Sequence, residues 1–483
     1  MAYIAAFDAG TTAVKGTLVD ETGHIALSGS VELATICREG LQEQAPQDWW
    51  AAFCAISRQF TKAVPPADIR GIIMSGQMQD LIPLDVQLEP VCPAILYSDG
   101  RAETQAAALE AAVGGEYVLH TTGNHCDGSL PLPKLMWLKE HCPELYARTA
   151  HILISSKDYL IARLTGVCAG DITACATAGA MDIRRKCWDK RLLSAAGVDA
   201  DLFPALYYPH QQVGTVLPEI GAACGYRAGT AVFAGIGDAG ATTLASGIQC
   251  PGQYNINLGT SGWVATVSDD ILLTEAGVFN LAAAAEGCYI NVVPFLNAGN
   301  VHKWVAGVLG RTAGTVDYEA VSGLLAASVP GSCGVLFLPY LSGERFPVLA
   351  PEARGCFWGM TMETSAADLV RACLEGVAFS LRQGLEQFST PPASLSLIGG
   401  GGRETVWCQI LADVLGREIT VFQDTQFRAA QVLAALAYQG PERSTMSGQT
   451  ESGAVYRPRD EYRMLYDSLY ARYQKLYPAL RGI

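Results

Sequence analysis

A short pattern occurs twice in this chain, about half its length apart. The first copy is Phe7-Asp8-Ala9-Gly10-Thr11-Thr12-Ala13-Val14-Lys15-Gly16-Thr17-Leu18-Val19-Asp20, and the second is Asn255-Ile256-Asn257-Leu258-Gly259-Thr260-Ser261-Gly262-Trp263-Val264. Each reads as an apolar strand, a Gly-Thr-Thr or Gly-Thr-Ser turn, and a second apolar strand, so each predicts a β-hairpin with a small-residue turn. Such a turn presents backbone N–H groups and hydroxyls to an anion, above all a phosphate. Two of them facing each other across a cleft would grip a nucleoside triphosphate from both sides. Taken singly, either hairpin is also read as an ordinary turn; the repetition favours the phosphate.

The chain is long enough to build that frame. Its 483 residues are 50% hydrophobic, enough for a sizeable core in two or three domains. Lys and Arg total 33 against 47 Asp and Glu, a net charge of −14. With no basic patch, this argues against nucleic acid and anionic membranes as partners. The opening residues 1–8 have no basic stretch and run straight into the first strand, so no signal peptide is expected. No uncharged apolar run reaches the ~20 residues of a membrane-spanning helix. Fifteen cysteines contain no C-x-x-C and are odd in number, which reads as reduced, buried small hydrophobes. The seven histidines form no H-x-x-x-H cluster, and no zinc site is expected. These features together suit a cytoplasmic enzyme.

Strand-like and helix-like segments alternate in the first half: strands at 3–7 and 16–20, a helix over 49–64, a strand at 71–75. That alternation indicates α/β layers. Composition turns small and glycine-rich over 230–245 and the second hairpin follows, which places a domain boundary near residue 247: 1–247 and 248–483. The second half repeats the logic, with strands at 334–338 and 394–398, helices at 366–388 and 405–415, and a terminal helix over 460–477 after a charged, tyrosine-rich stretch beginning at Gly440.

Three groups of residues suggest chemistry. Asp8 at a strand end, beside Thr11, Thr12 and Lys15, suits a magnesium anchor acting through water, because Mg²⁺ keeps much of its hydration. Gly235-Ile236-Gly237-Asp238-Ala239-Gly240 fits G-x-G-x-x-G, yet the second hairpin occupies the stretch where a dinucleotide fold would need its acidic residue. Asp238 in a glycine-lined junction loop is better read as the carboxylate that takes a proton from an attacking hydroxyl, the one proton acceptor that phosphoryl transfer needs. The strand entering Gly399-Gly400-Gly401-Gly402 lets a flat ring or a phosphate approach the backbone; a plain flexible turn is the other reading. Glu43-Gln44, Trp49-Trp50, Gln77-Met78-Gln79-Asp80 and Asp99-Gly100-Arg101 mix polar and aromatic groups in the way a hydroxyl-rich ligand requires. One of the two tryptophans is expected in the core.

On these motifs the chain resembles the FGGY carbohydrate kinases, and their xylulokinases most. The matching residues run nearly end to end: Asp8-x-Gly10-Thr11-Thr12-x-x-Lys15, Glu43-Gln44-x-Pro46-x-x-Trp49-Trp50, Asp99-Gly100-Arg101, Pro133-Lys134-Leu135-x-Trp137-Leu138, Lys157-Asp158-Tyr159-Leu160, Gly237-Asp238, Leu258-Gly259-Thr260-Ser261-Gly262, residues 337–345 and Ile398-Gly399-Gly400-Gly401. The resemblance implies an α/β protein of two ribonuclease-H-like domains, of the type shared with actin, with ATP and a small sugar in the cleft between them. It implies Asp238 as catalytic base and Asp8 near Mg²⁺. The turns carrying Gly10, Thr11, Thr12, Lys15, Gly259, Thr260 and Ser261 would surround the phosphates, and Gly400 and Gly401 would border the adenosine. Trp49, Gln77, Met78, Gln79, Asp99, Arg101 and Asp238 would meet the sugar, most simply D-xylulose becoming D-xylulose 5-phosphate. A homodimer is compatible with this picture.

Three departures from the family pattern stand out. Gln79-Asp80 replaces a His-Gly pair and puts charge and bulk beside the sugar. Tyr97-Ser98 replaces Trp-Asn before Asp99. Leu433 replaces a glycine expected near the adenosine. A kinase for another ketose, polyol or sugar acid therefore stays open, as do an actin-like or chaperone-like ATPase and an inactive sugar sensor. Glu43, Gln44, Trp49, Asp99, Arg101 and Asp238 argue against the ATPase machine, and the presence of both Asp8 and Asp238 argues against the sensor.

Overall fold

The computed structural model describes residues 1–38, 41–248, 250–274, 277–312, 315–344, 346, 350, 352–422, 425–439 and 453–481. Arg345 and residues 440–452 at the start of the tail lie outside the described residues. Tyr3–Ala9 and Ala13–Asp20 pair antiparallel around the turn 10–12, which sets Asp8 opposite Lys15. Side chains alternate along a strand. Ala5, Phe7 and Ala9 therefore pack with Trp49, Phe53 and Phe60 of the helix Pro46–Ala63. Ile4 and Ala6 join a second cluster on the opposite face. Pro46 opens that helix, where its missing N–H has no intrahelical partner to lose. The helix is the crossover that a parallel neighbour needs, and Ile69–Gly76 duly runs parallel to the first strand. Ile25–Glu32 pairs with the second arm, and Ala231–Phe233 and Gln212–Thr215 extend the other edge of this seven-stranded sheet.

The second half uses the same plan. Gln253–Leu258 and Gly262–Ser268 form the second hairpin around the turn 259–261. Tyr289–Phe295 pairs with its second arm. Ser394–Ile398 runs parallel to its first arm after the crossover helix Ala366–Leu385. Ser365 and Asp368 start that helix with a reciprocal capping box. Ile419–Val421 and Ala454–Tyr456 complete a second seven-stranded sheet. The repeated motif is thus the trace of a repeated topology: a hairpin meander, then parallel strands on its first arm.

Two expectations change. The terminal helix is broken into Arg463–Tyr473 and Leu476–Leu480, because Pro478 would press on the carbonyl of Gln474 in a continuous helix. Asp238 does not sit in a loop but opens the helix Asp238–Ala245. Small residues let that helix lie close to the sheet; a Cβ on Gly240 would come within 2.5 Å of Ile236.

Among the described residues the halves are joined at two places. Leu135, Leu138, Ile154 and Ile172 share one apolar cluster with Leu281 and Ile290 of the second sheet. The helix Thr425–Gln439 returns to the first sheet, where Leu433, Ala434 and Leu436 pack with Ile4, Ala6, Ile73 and Ala241. Gln431 Nε2 donates to the carbonyl of Gly23 at 2.8 Å and the Tyr438 hydroxyl to that of Ala2 at 2.9 Å. Leu433 therefore packs between the halves while also lining the cavity that holds Asp8 and Asp238.

Candidate active site

Asp8 and Asp238, 230 positions apart in the chain, line one cavity of about 600 Å³ with Lys15, Thr17, Ser75 and Thr242. The end of the first strand carries Asp8, whose Oδ1 accepts a 2.9 Å hydrogen bond from the Ser75 hydroxyl on the adjacent parallel strand. Burial pushes the Asp8 carboxyl up, opposed by Ser75 and by the charge of Lys15. Asp238 accepts from the N–H of Ala239 at 2.7 Å. Its side chain is open to the cavity but recessed within the protein, and this burial together with the Asp8 charge raises it to about 7. The Asp8 charge thus makes ionisation of Asp238 harder.

Two carboxylates on one cavity fit a hard divalent cation. Among the described residues no group of three or more His, Cys, Asp or Glu forms a complete metal cage. A sparse donor set suits Mg²⁺, which keeps several waters and takes phosphate oxygens as ligands.

Beside this pair, a chain of amides ties the first turn to the strand ends. Thr11 Oγ1 donates to Gln77 Oε1 at 2.8 Å, Gln77 Nε2 to Gln44 Oε1 at 3.0 Å, and Gln44 Nε2 to the Thr11 carbonyl at 2.6 Å. The Trp49 indole N–H also donates to Gln44. Trp49 and Gln77 are both fully buried, so they support the turn and the cleft wall from behind. Trp50 is half-buried, stacked on Phe53 with Arg163 over its ring. Asp99 is buried and holds Arg101 through Oδ1 at 2.9 Å and Oδ2 at 2.6 Å, while Arg101 also reaches Glu43 at 2.8 Å. These pairs keep Asp99 below the ordinary carboxylate range despite its burial.

Met78 and Gln79 are half-buried, beside the Gly237-Asp238 junction and the strand end respectively. A Cβ on Gly237 would lie 2.0 Å from Met78 Sδ, so glycine is what allows that contact. Gln79 holds a left-handed φ of 67°, a strained setting for a side-chain-bearing residue, and donates to Ser129 Oγ at 3.0 Å. Asp80 is fully buried rather than exposed beside the ligand space. Its Oδ1 accepts from the Tyr97 N–H at 3.1 Å, and burial raises it well above its usual range against the pull of Lys134. Lys134 donates to the carbonyls of Gln79 at 3.1 Å and Leu96 at 2.7 Å, and burial lowers it to about 8. Sequence reasoning gave Lys134, Ser75 and Ser129 no role; Lys134 had a signal, a lysine inside an otherwise apolar helix start.

Outside the lining of the cavity that holds Asp8 and Asp238, the second turn meets the glycine run. The carbonyls of Gly259 and Thr260 accept from the N–H groups of Gly299 and Asn300 at 2.8 and 2.9 Å. Gly399, at φ 95°, lies so close that a Cβ would come within 2.6 Å of the Leu258 carbonyl oxygen. Thr260, Ser261 and Gly400 are exposed, and nothing lies within 4 Å of where a Gly400 side chain would start. Gly401 is buried against Leu258 and Trp407. In the first turn Thr12 is exposed, while Gly10 closes it by donating to the Ala13 carbonyl at 3.1 Å. Each turn therefore offers hydroxyls outward from a backbone held tightly behind.

Comparison with known proteins agrees with this geometry. Residues 3–245 match the N-terminal domain, and residues 254–436 the C-terminal domain, of the FGGY family of carbohydrate kinases. A xylulose kinase of Escherichia coli (strain K12) is 32% identical over 483 residues, covering 96% of this chain and 98% of that protein. A gluconokinase of Bacillus subtilis (strain 168) is 27% identical over 431 residues, covering 87% of this chain and 84% of that one. The crystal structure of ligand-bound xylulose kinase from Lactobacillus acidophilus superposes with a TM-score of 0.92 at 26% identity, covering 100% of this chain and 99% of that one.

Proposed function

The chain belongs to the FGGY family of carbohydrate kinases, and on that footing we propose that it transfers the γ-phosphoryl group of ATP to D-xylulose, giving D-xylulose 5-phosphate and ADP. The observation that carries the reading is the meeting of Asp8 and Asp238 on one cavity, with the polar network of residues 77–101 tied to the adjoining first turn through Thr11 and Gln77. Asp238 takes the proton of the sugar hydroxyl as its oxygen bonds to phosphorus. Asp8 is the anchor for Mg²⁺, through water. When bound, Mg²⁺ neutralises charge on the phosphate oxygens. The exposed Thr12, Thr260 and Ser261 with the turn backbone at Thr11 and Gly259 orient the phosphates, Lys15 adds charge from the cavity wall, and Gly10 shapes the first turn. Gly400, with open space before it, and Gly401 border the adenosine. Met78, Gln79 and Arg101 face the sugar, with Trp49, Gln77 and Asp99 holding them in place. Residues 1–247 then serve the sugar and, through the first hairpin, the phosphates, and 248–483 the nucleotide.

A neutral ketose suits this wall better than a sugar acid. Arg101 is already gripped by Asp99 and Glu43, so an aldonate carboxylate would compete with two protein carboxylates for it. The fifteen cysteines are free; Cys37, Cys187, Cys250 and Cys333 are exposed rather than buried as expected, and burial pushes others such as Cys54 up to about 12, a set of free thiols that fits a reducing cytoplasm. Among the described residues no helix is long and apolar enough to cross a membrane. A coupled ADP-release assay across pentuloses, hexuloses, polyols and aldonates tests the substrate. D-xylulose should give the highest kcat/KM; a higher value for gluconate or a polyol would refute the assignment.

A further inference from the structure

Behind the two cavity carboxylates lies an ion cluster with no exposed surface. Lys157 Nζ is 2.5 Å from Asp158 Oδ1 and 2.7 Å from Asp171 Oδ2, and all three side chains are fully buried. Burying a charge is costly unless it is paired and hydrogen-bonded, so the cluster's remaining contacts show what it holds. Asp171 ends the strand Ala169–Asp171. Its Oδ1 accepts from the N–H groups of Thr173 at 2.9 Å and Ala174 at 3.0 Å. The same oxygen reaches the N–H of Gly237 at 3.4 Å, one residue before Asp238. Thr173 in turn donates through its hydroxyl to the carbonyl of Ala282 in the second sheet at 2.6 Å.

Lys157 sits in the first turn of the helix Ser156–Thr165, which is seated against the strand ends that carry the other carboxylate. Ser156 Oγ donates to the carbonyl of Ala9, next to Asp8, at 2.6 Å. A Cβ on Gly76 would lie 2.7 Å from Ser156 Oγ and 2.9 Å from the Lys157 nitrogen, so backbone touches backbone there. One short segment thus holds the Asp8 strand directly and the Asp238 junction through Asp171. Asp158 shares the lysine but makes no hydrogen bond to either carboxylate's segment, and burial raises it to about 6.

We propose that Lys157 and Asp171 are a buried positioning pair that fixes the Asp238 backbone relative to Asp8. This inference rests on the reading of Asp238 as the base. Neither residue touches substrate; the pair acts through Gly237, and the Asp171 charge, which also bears on Asp238, is retained in Asp171→Glu. A displacement of about 1 Å at a reacting group can cost 10²-fold in rate, so the expected signature lies in kcat.

The test is steady-state kinetics on three folded variants, checked by thermal melting. Asp171→Asn keeps a cap for Thr173 and Ala174 but loses the charge facing Lys157. It should lower kcat about 10- to 100-fold while KM for sugar and ATP stays within about twofold. Asp171→Glu keeps the charge but shifts the carboxylate away from Gly237, and should show the same split. Asp158→Asn disturbs the same ion cluster without touching Gly237, and should keep kcat within about twofold even if its melting temperature falls. Equal kcat losses in the Asp158 and Asp171 variants, full kcat in Asp171→Asn or Asp171→Glu, or failure of both Asp171 variants to fold would each overturn the proposal. Undiminished turnover in Asp238→Asn is the separate result that would unseat the base and the pair together.

Discussion

Asp238 is open to a cavity and at the same time surrounded by protein and faced by Asp8, which is why its carboxyl rises to about 7. A base works only when ionised. The rate should therefore fall as pH drops through that value, about tenfold per unit in kcat/KM for the sugar, and level off above it. A profile flat from pH 5 to 8 at constant ionic strength would show that Asp238 is not the titrating group. Asp238→Asn should lose ~10²-fold or more in turnover while still binding sugar and ATP, read by calorimetry alongside kinetics. Asp80 leads to a different expectation now that it lies beneath the cleft wall. In the pair Gln79→His with Asp80→Gly, the Tyr97 N–H loses its acceptor and Lys134 its neighbouring carboxylate. Stability should fall by ~1–3 kcal/mol, as for other orphaned buried polar groups, with the order of preferred sugars intact. A reordered sugar ranking would mean that Asp80 reaches the substrate.

At the scale of elements, the hairpins were legible because their pattern is local: an apolar run, a small-residue turn, a second apolar run, and a copy of all three. The helix Thr405–Leu415 and the strand Ser394–Ile398 were legible for the same reason. What sequence could not show was depth. Trp49 and Asp80 read as cleft residues by their neighbours in the chain, but burial is decided by partners such as Tyr159 and Lys134, 110 and 54 positions away. Leu433 read as an adenosine neighbour; it lines the cavity of Asp8 and Asp238 and also packs between the halves, a place that depends on a helix crossing back to the first sheet. The second turn gives its own prediction. Thr260→Val keeps the carbonyl that Asn300 uses and removes only the outward hydroxyl, so it should raise KM for ATP or lower kcat and leave sugar binding alone. Gly399→Ala puts a methyl against the Leu258 carbonyl at φ 95° and should cost ~1–3 kcal/mol in folding stability, with weaker ATP binding. ATP kinetics unchanged in both variants would remove the second hairpin from the nucleotide site.

For the whole molecule, the cleft poses a problem that no single residue solves. A phosphoryl donor held beside an activated hydroxyl must be kept from water, and closing the cleft on both ligands is the usual means. The two places where the halves are joined restrict how such a closure can turn. One is a buried amide lattice: Asn124 Nδ2 donates to the Asn280 carbonyl at 2.9 Å, Asn280 donates back through its N–H at 2.8 Å, and Asn291 Nδ2 reaches Asn280 Oδ1 at 2.8 Å. The other is the helix Thr425–Gln439 on the first sheet, where apolar packing predominates and a shift would give up the hydrogen bonds of Gln431 and Tyr438 rather than a buried lattice. Gly247, at φ 84°, lies in the connection between Ala245 and Gln253 and can absorb backbone rotation without side-chain strain. Closure should therefore pivot on the amide lattice while the helix shifts on the sheet. Small-angle scattering should show a smaller radius of gyration with D-xylulose and a non-hydrolysable ATP analogue together than with either alone. Hydrogen exchange should stay slow at Asn280 in every state and change on ligand binding near Leu433. A radius of gyration that does not respond to the two ligands would mean that the cleft is preformed, with Asp8 and Asp238 already at their working separation.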